Sequence, residues 1–231
     1  MQRRGEEALA QEREAVGAST VRTDDLIRAL VADHTPRRGT LPQRFLLVSG
    51  LGILGAFCLY GILLRPRADL MAALTSWPAG FKVGVALSLA AAAGAVAFRQ
   101  ARPEPALGLR AALAPVLALL AVGVSVELAT LQPSLWGRSV MASEGFPCLL
   151  LILALSLAPL AAALVWLRDG APSRPPLAGA AAGLFAGGVG AALYATHCTN
   201  DSPLFVMAWY GLAVAITAVL GAALGGKALR W

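Results

Sequence analysis

Six long stretches of apolar residues alternate with short polar breaks along most of the chain. Each stretch approaches the roughly 20 apolar residues that an α-helix needs to cross the hydrocarbon core of a bilayer. The pattern therefore predicts an all-α, polytopic membrane protein whose main body is a six-helix transmembrane bundle. The predicted spans are Phe45–Leu64, Phe81–Phe98, Leu109–Leu128, Cys148–Leu167, Leu177–Thr196 and Leu204–Leu224.

The breaks between the predicted spans are rich in proline and charge, and the last one has the features of a helix start. Ser202 suits the capping position and Pro203 the first helical position. Within the last two spans, small residues recur at four-residue spacing, which lets neighbouring helix backbones approach closely. These residues are Gly179, Gly183 and Gly187 in the fifth span and Gly221 and Gly225 in the sixth.

Composition agrees with the pattern, since 58% of the residues are hydrophobic, only 14% are charged and the mean hydropathy is +0.68. The net charge of +6 does not indicate nucleic-acid binding, because most Lys and Arg residues flank the apolar runs. With the N-terminus inside, 15 of the 19 Lys and Arg residues lie on the cytoplasmic side. The positive-inside rule thus predicts an inner-membrane protein with both termini in the cytoplasm. Four cations fall outside: Arg65, Arg67, Lys82 and Arg138.

The first 44 residues contain 15 charged side chains and no apolar run of signal-peptide length, so we expect them to stay in the cytoplasm. We divide the chain into this N-terminal segment, residues 1–44, and a membrane domain, residues 45–231. Residues 1–18 contain few large apolar side chains, and disorder is expected there.

One short amphipathic helix is predicted over residues 23–33, with Thr23 as its cap and Asp24 four residues before Arg28. About a dozen residues make a marginal helix in water, so its apolar stripe needs a partner. The bilayer surface, the bundle itself or another protein would serve, and the acidic polar face favours a protein. The candidate binding residues are Thr23, Asp24, Asp25, Leu26, Ile27, Leu30 and Val31.

The three cysteines differ in their setting. Cys58 lies inside the first span, where it is expected to be a small buried hydrophobic residue. Cys148 begins the fourth span and Cys198 follows the fifth, so both are predicted on the outer face. There they could form a disulfide or bind a soft metal. His197 and Asp201 are weak candidates for further metal ligands, since the spacing matches no known zinc pattern.

Two other classes of protein remain open at this point. A small transporter or export subunit would need several polar groups near the membrane midplane, and Glu127 is the single carboxylate in or near a span. A periplasmic thiol oxidoreductase would be expected to have Cys-x-x-Cys, which the sequence lacks.

Five stretches resemble the NrsF family, the negative regulators of sigma F, which are six-helix bacterial membrane proteins. The resemblance covers roughly residues 22–231 and leaves 1–21 as an extension. The Cys198 loop with its Asp-Ser-Pro tail is its most specific part. The five stretches are Thr23–Leu30, Gly145–Leu149, Arg168–Pro172, His197–Phe205 and Leu229–Trp231.

The resemblance implies an anti-sigma factor, not an enzyme, that holds an extracytoplasmic-function sigma factor at the membrane through its N-terminal segment. It makes the helix at 23–33 the candidate sigma-binding element. It also implies that Cys148 and Cys198 respond to heavy-metal or redox stress and release the sigma factor, whereas Cys58 matches neither motif. We expect no cofactor and no direct contact with nucleic acid; the partners are the sigma factor and membrane lipid.

Overall fold

The structure, a computed structural model, describes residues 22–32, 41–101, 108–141 and 143–229. All regular secondary structure within these ranges is helical. The helices are α1 (Thr23–Ala32), α2 (Leu41–Leu63), α3 (Leu70–Thr75), α4 (Trp77–Gln100), α5 (Leu109–Thr130), α6 (Pro133–Val140), α7 (Gly145–Leu167), α8 (Pro175–Ala195) and α9 (Pro203–Ala228, with a π-helical turn at Val206–Tyr210).

Six of these helices, α2, α4, α5, α7, α8 and α9, are long and apolar enough to cross a bilayer, which confirms the predicted count. Their centres agree with the sequence prediction, but α2 and α4 each begin four residues earlier than predicted. In α4 the start at Trp77 follows from Ser76 and from Pro78 in the first turn. Lys82 consequently lies inside α4, where its side chain is fully buried, and is not an exposed charge at the membrane surface.

The centre of the bundle is α8, which is mostly buried and packs against α4, α7 and α9. Its glycine ladder lies directly against α9. A Cβ on Gly183 would collide with the backbone of Thr217 and Ala218, and one on Gly179 with the backbone of Gly221. The predicted role of these glycines in close helix packing is therefore confirmed.

A second close contact joins α2 to α7, where Gly52 faces Ala162 and the backbone of Ala158 and Pro159. Only a narrow stripe of α2 makes this contact, and most of its large apolar side chains stay exposed for lipid. Cys58 lies on the exposed side. The expectation that Cys58 is buried is therefore wrong.

Two of the buried polar side chains in the spans are bonded within their own helices. Ser156 and Thr217 are buried, and each hydroxyl donates a hydrogen bond within its own helix, to the carbonyls of Ile152 and Ala213. Such bonding satisfies the hydroxyl locally.

α1 belongs to a unit separate from the bundle. Its hydrogen bonding begins at the carbonyl of Arg22, so Thr23 is the first helical residue and not the cap that was predicted. The intrahelical ion pair joins Arg28 to Asp25, at 3.7 Å, where the sequence suggested Asp24. The helix ends at Ala32, and Asp33 lies outside the described residues.

Candidate functional site

Cys148 and Cys198 meet at one end of the bundle. Cys148 lies in the first turn of α7 and Cys198 three residues after the last residue of α8. Their Sγ atoms are 3.9 Å apart, both side chains are buried, and no disulfide joins them. The Tyr194 hydroxyl lies 3.0 Å from the Cys148 sulfur. We call this end of the bundle, formed by residues 64–69, 131–141, 143–144 and 196–202, the cysteine end.

The separation of the two sulfurs suits two kinds of chemistry. A disulfide needs a sulfur separation of about 2.05 Å, so the sulfurs would have to approach by roughly 2 Å. A tetrahedral metal with bonds of about 2.3 Å to thiolate holds its sulfurs about 3.8 Å apart, close to the present distance.

Aromatic side chains enclose the thiol pair. The ring centroids of Tyr194 and Tyr210 are 5.9 Å apart, and those of Phe205 and Tyr210 are 6.4 Å apart. Tyr210 ends the π-helical turn of α9, a backbone irregularity that is frequent at functional sites. The enclosure keeps the two sulfurs away from bulk solvent.

Asp201 is bound from two sides by cations. Lys82 of α4 donates to Asp201 Oδ1 at 2.7 Å, and Arg67 Nη1 donates to Oδ2 at 2.9 Å. Lys82 also donates to the backbone carbonyls of Cys198, at 2.8 Å, and of Asn200, at 3.1 Å. The loop that carries Cys198 is thus tied to α4 and to the segment after α2.

The side chains of His197 and Thr196 are also bound. His197 Nδ1 lies 2.7 Å from the Arg65 carbonyl, and the Tyr60 hydroxyl bonds the Thr196 hydroxyl at 2.7 Å. Asp201 is already committed to its two cations. The suggested mixed metal set with His197 and Asp201 is therefore not assembled, and the described part of the chain contains no group of three or more His, Cys, Asp or Glu side chains able to hold a metal.

Glu127, a weak candidate from the sequence, has a defined role at the start of α9. Its Oε1 accepts from the Ser202 hydroxyl at 2.6 Å and its Oε2 from the Leu204 amide at 2.7 Å. Ser202 itself caps the helix by accepting from the Phe205 amide at 3.3 Å, as predicted. A carboxylate at a helix N-terminus is favoured by the helix dipole, so Glu127 anchors α9 to α5.

The charges at the cysteine end reinforce one another. Hydrogen bonds to Asp69 and Asp201 raise the pKa of the Arg67 guanidinium above its usual value, and Arg67 in turn lowers the pKa of Asp69. The hydrogen bond from Cys148, with the charge of Lys82, lowers the pKa of the Cys198 thiol below its usual value. A lowered pKa favours the thiolate, the reactive form of a cysteine.

Sequence reasoning found the two cysteines but missed the residues that position them: Lys82, Arg67, Tyr194 and Tyr210. Lys82 left a signal, because an ionisable residue inside an apolar stretch is a functional candidate. It was counted only as a topological charge. The tyrosines left none, since interfacial aromatic residues are common in membrane helices.

Comparison with known proteins agrees with this architecture. The NrsF family, described as negative regulator of sigma F, matches residues 30–231. The chain is 36% identical over 219 residues to a probable anti-sigma-F factor NrsF of Azospira oryzae, covering 91% of this chain and 100% of that protein. It is also 36% identical over 218 residues to an anti-sigma-F factor NrsF of Caulobacter vibrioides, with the same coverage. No solved structure matches. The chain therefore belongs to the NrsF family of negative regulators of sigma F.

Proposed function

We propose that this protein is a membrane-bound anti-sigma-F factor, a regulator without enzymatic activity that sequesters a sigma factor of the extracytoplasmic-function class. The observation that carries the proposal is the family match over residues 30–231, together with two relatives named as anti-sigma-F factors that align over their full length. Six candidate spans support a multi-pass membrane location. The excess of Lys and Arg in and beside the segments predicted inside supports cytoplasmic termini.

The sigma-binding element in this proposal is α1. Its four large apolar side chains are each at least half exposed. In an isolated helix this surface would be in water, and an apolar groove of a sigma factor would bury it in the manner of other helix-in-groove complexes. The four residues are Leu26, Ile27, Leu30 and Val31.

A pair of matched variants tests the docking helix. Leu26→Asp with Leu30→Asp places two carboxylates on the apolar stripe, and we expect a sigma-dependent reporter to become constitutively active. Ala29→Asp with Ala32→Asp adds the same charges to the opposite side and should leave the reporter repressed. Both proteins must reach the membrane at the wild-type level on an immunoblot. A repressed reporter in the first variant would show that α1 does not bind the sigma factor.

The sensor in this proposal is the thiol pair of Cys148 and Cys198. Their buried sulfurs are 3.9 Å apart, one in the first turn of α7 and the other in the turn after α8, and these two helices pack against each other. Oxidation to a disulfide or bridging by a soft metal such as cadmium would draw or hold the ends of α7 and α8 together. The signal shifts the protein away from the sigma-binding state by its differential affinity for the two states.

The double variant Cys148→Ser, Cys198→Ser tests the sensor. It should still repress the reporter, because α1 is unchanged, but should no longer respond to cadmium or to an oxidant. Cys58→Ser is the control and should respond normally, since Cys58 is exposed whereas both cysteines of the pair are buried. Loss of repression in the double variant would assign the pair a structural role, and normal induction would remove it from sensing altogether.

A further inference from the structure

Lys82 is a buried charge that the proposed function does not yet use. Its side chain is fully buried, and its ammonium donates to Cys198 O, Asn200 O and Asp201 Oδ1. An ammonium has three donors, so all of them are occupied. Burying such a charge is unfavourable unless it is paired and fully hydrogen-bonded, and a well-packed apolar residue is often equally stable. Packing alone therefore does not account for a lysine here.

All three acceptors belong to the turn at residues 198–201. The ammonium thus holds this turn as a unit and fixes the backbone carbonyl of Cys198, whose sulfur lies 3.9 Å from that of Cys148. Arg67 reinforces the turn from the other side of Asp201, and its side chain is only 11% exposed. The position of the Cys198 sulfur is set by contacts from α4 and from the segment after α2.

The same ammonium is the cation that most directly faces Cys198. Its charge favours the thiolate, in addition to the hydrogen bond from Cys148. The other titratable or charged groups around Cys198 come from the neighbouring elements: Cys148 and Glu144 at α7, Tyr194 on α8, Tyr210 on α9, Glu127 on α5, and His197, Asp201 and Arg67 in the loops.

We propose that Lys82 is the positioning residue of the thiol pair: it holds the turn at 198–201 so that the Cys198 thiolate is the nucleophile that starts disulfide formation. This inference rests on the proposed sensing role of Cys148 and Cys198. It adds which thiol reacts first and which residue makes it reactive.

A peroxide can serve as the oxidant. The Cys198 thiolate attacks one peroxide oxygen, the O–O bond breaks, and hydroxide leaves and is protonated to water, so that Cys198 becomes a sulfenic acid. The Cys148 sulfur then attacks the Cys198 sulfur, and a second water leaves with the Cys148 proton. The two sulfurs together lose two electrons, and the peroxide gains them.

The test measures disulfide formation against pH in the purified full-length protein carrying Cys58→Ser, reconstituted in lipid and treated with hydrogen peroxide. Lys82→Met preserves length but removes the charge. We expect its disulfide formation at pH 7 to be about tenfold slower, because less thiolate is present. The pH at which the rate of disulfide formation increases should be higher than in the wild type. Asp201→Asn removes the carboxylate that competes with the Cys198 thiolate for the charge of Lys82. The pH at which the rate of disulfide formation increases should therefore be lower than in the wild type.

Opposite shifts in these two variants separate a positioning role from a structural one, which would slow both. Arg44→Met, which removes a cation at the other end of the bundle, is the matched control and should leave the profile unchanged. If Lys82→Met does not yield a monodisperse protein, Asp201→Asn decides: a shift to lower pH supports the proposal, and no shift or the opposite shift overturns it. A wild-type profile for a folded Lys82→Met also overturns it.

Failure of the sensing function itself would be visible elsewhere. A reporter strain with Cys148→Ser and Cys198→Ser that is still induced normally would refute sensing by the pair, whatever the oxidation profiles of the Lys82 and Asp201 variants.

Discussion

The two ends of the bundle are held together by different means. At the cysteine end, side chains from several elements form a network of hydrogen bonds and ion pairs around the loop at 196–202. At the opposite end, Phe45 packs on Phe98 and Trp166, with ring centroids 4.9 and 4.8 Å away, and one ion pair joins Arg44 to Asp169. There the backbones of α8 and α9 touch at glycines.

The two ends differ in how readily their contacts can rearrange. Close backbone packing has one arrangement, because any displacement opens a gap or creates a collision. Ion pairs that reach solvent, such as Arg67–Asp69 with Asp69 58% exposed, can be exchanged for water at small net change in free energy. In the proposed sensor, a chemical event at Cys148 and Cys198 would act on the end that has solvent-exposed polar contacts, while the glycine-packed end keeps α8 and α9 together.

The largest effect is expected from breaking the glycine-packed region. In Gly183→Leu the side chain would meet the backbone of Thr217 and Ala218, which cannot move away without separating α8 from α9. We expect a loss of more than about 3 kcal/mol and little folded protein. Yield and melting temperature in detergent measure this. Gly50→Leu is the control, since a side chain there meets nothing and faces outward, and it should express normally.

A smaller effect is expected from Glu127→Gln at the cysteine end. The amide group keeps one acceptor but places its own N–H₂ against either the Leu204 amide or the Ser202 hydroxyl. We expect about 1–2 kcal/mol of destabilisation, visible as a lower melting temperature of a folded protein. A melting temperature as low as that of Gly183→Leu would contradict the view that this end tolerates rearrangement.

Arg44→Met at the opposite end should cost less. The Arg44–Asp169 pair is 3.0 Å long, but the Arg44 side chain is 39% exposed, and exposed pairs are screened by solvent. We expect a loss below about 1 kcal/mol. Thermal unfolding in low and high salt checks it, and a larger loss would mean that the opposite end also depends on charge.

The smallest effect is expected for Cys58→Ser. Cys58 is exposed on α2, whereas the α2–α7 contact is made at Gly52. The free energy of unfolding should stay within about 0.5 kcal/mol of the wild-type value, so the melting temperature should be close to that of the wild type. A clear loss would show that the surface of α2 carrying Cys58 is covered in the membrane.

The sequence predicted correctly the features that depend on the transfer of a segment into lipid or on local backbone chemistry. The spans, the glycine contacts of α8 and the Ser202–Pro203 helix start were all visible, because each depends on local hydrophobicity or backbone chemistry. Cys58 was misplaced because hydropathy shows that a residue is in a span but not which side of the helix faces lipid. Glu127 was noticed, but its partner in α9 lies 75 residues away along the chain.

By itself, then, the sequence determined the six spans, the exposed amphipathic α1 and the pair of cysteines at one predicted face, since these follow from residue type and spacing. Only the tertiary structure decided that the Cys148 and Cys198 sulfurs meet, and that Lys82 and Arg67 bind Asp201 rather than marking the membrane surface. These contacts join residues 50 to 134 positions apart. They exist because the packing of α4, α7 and α8 brings their ends together, which no local pattern encodes.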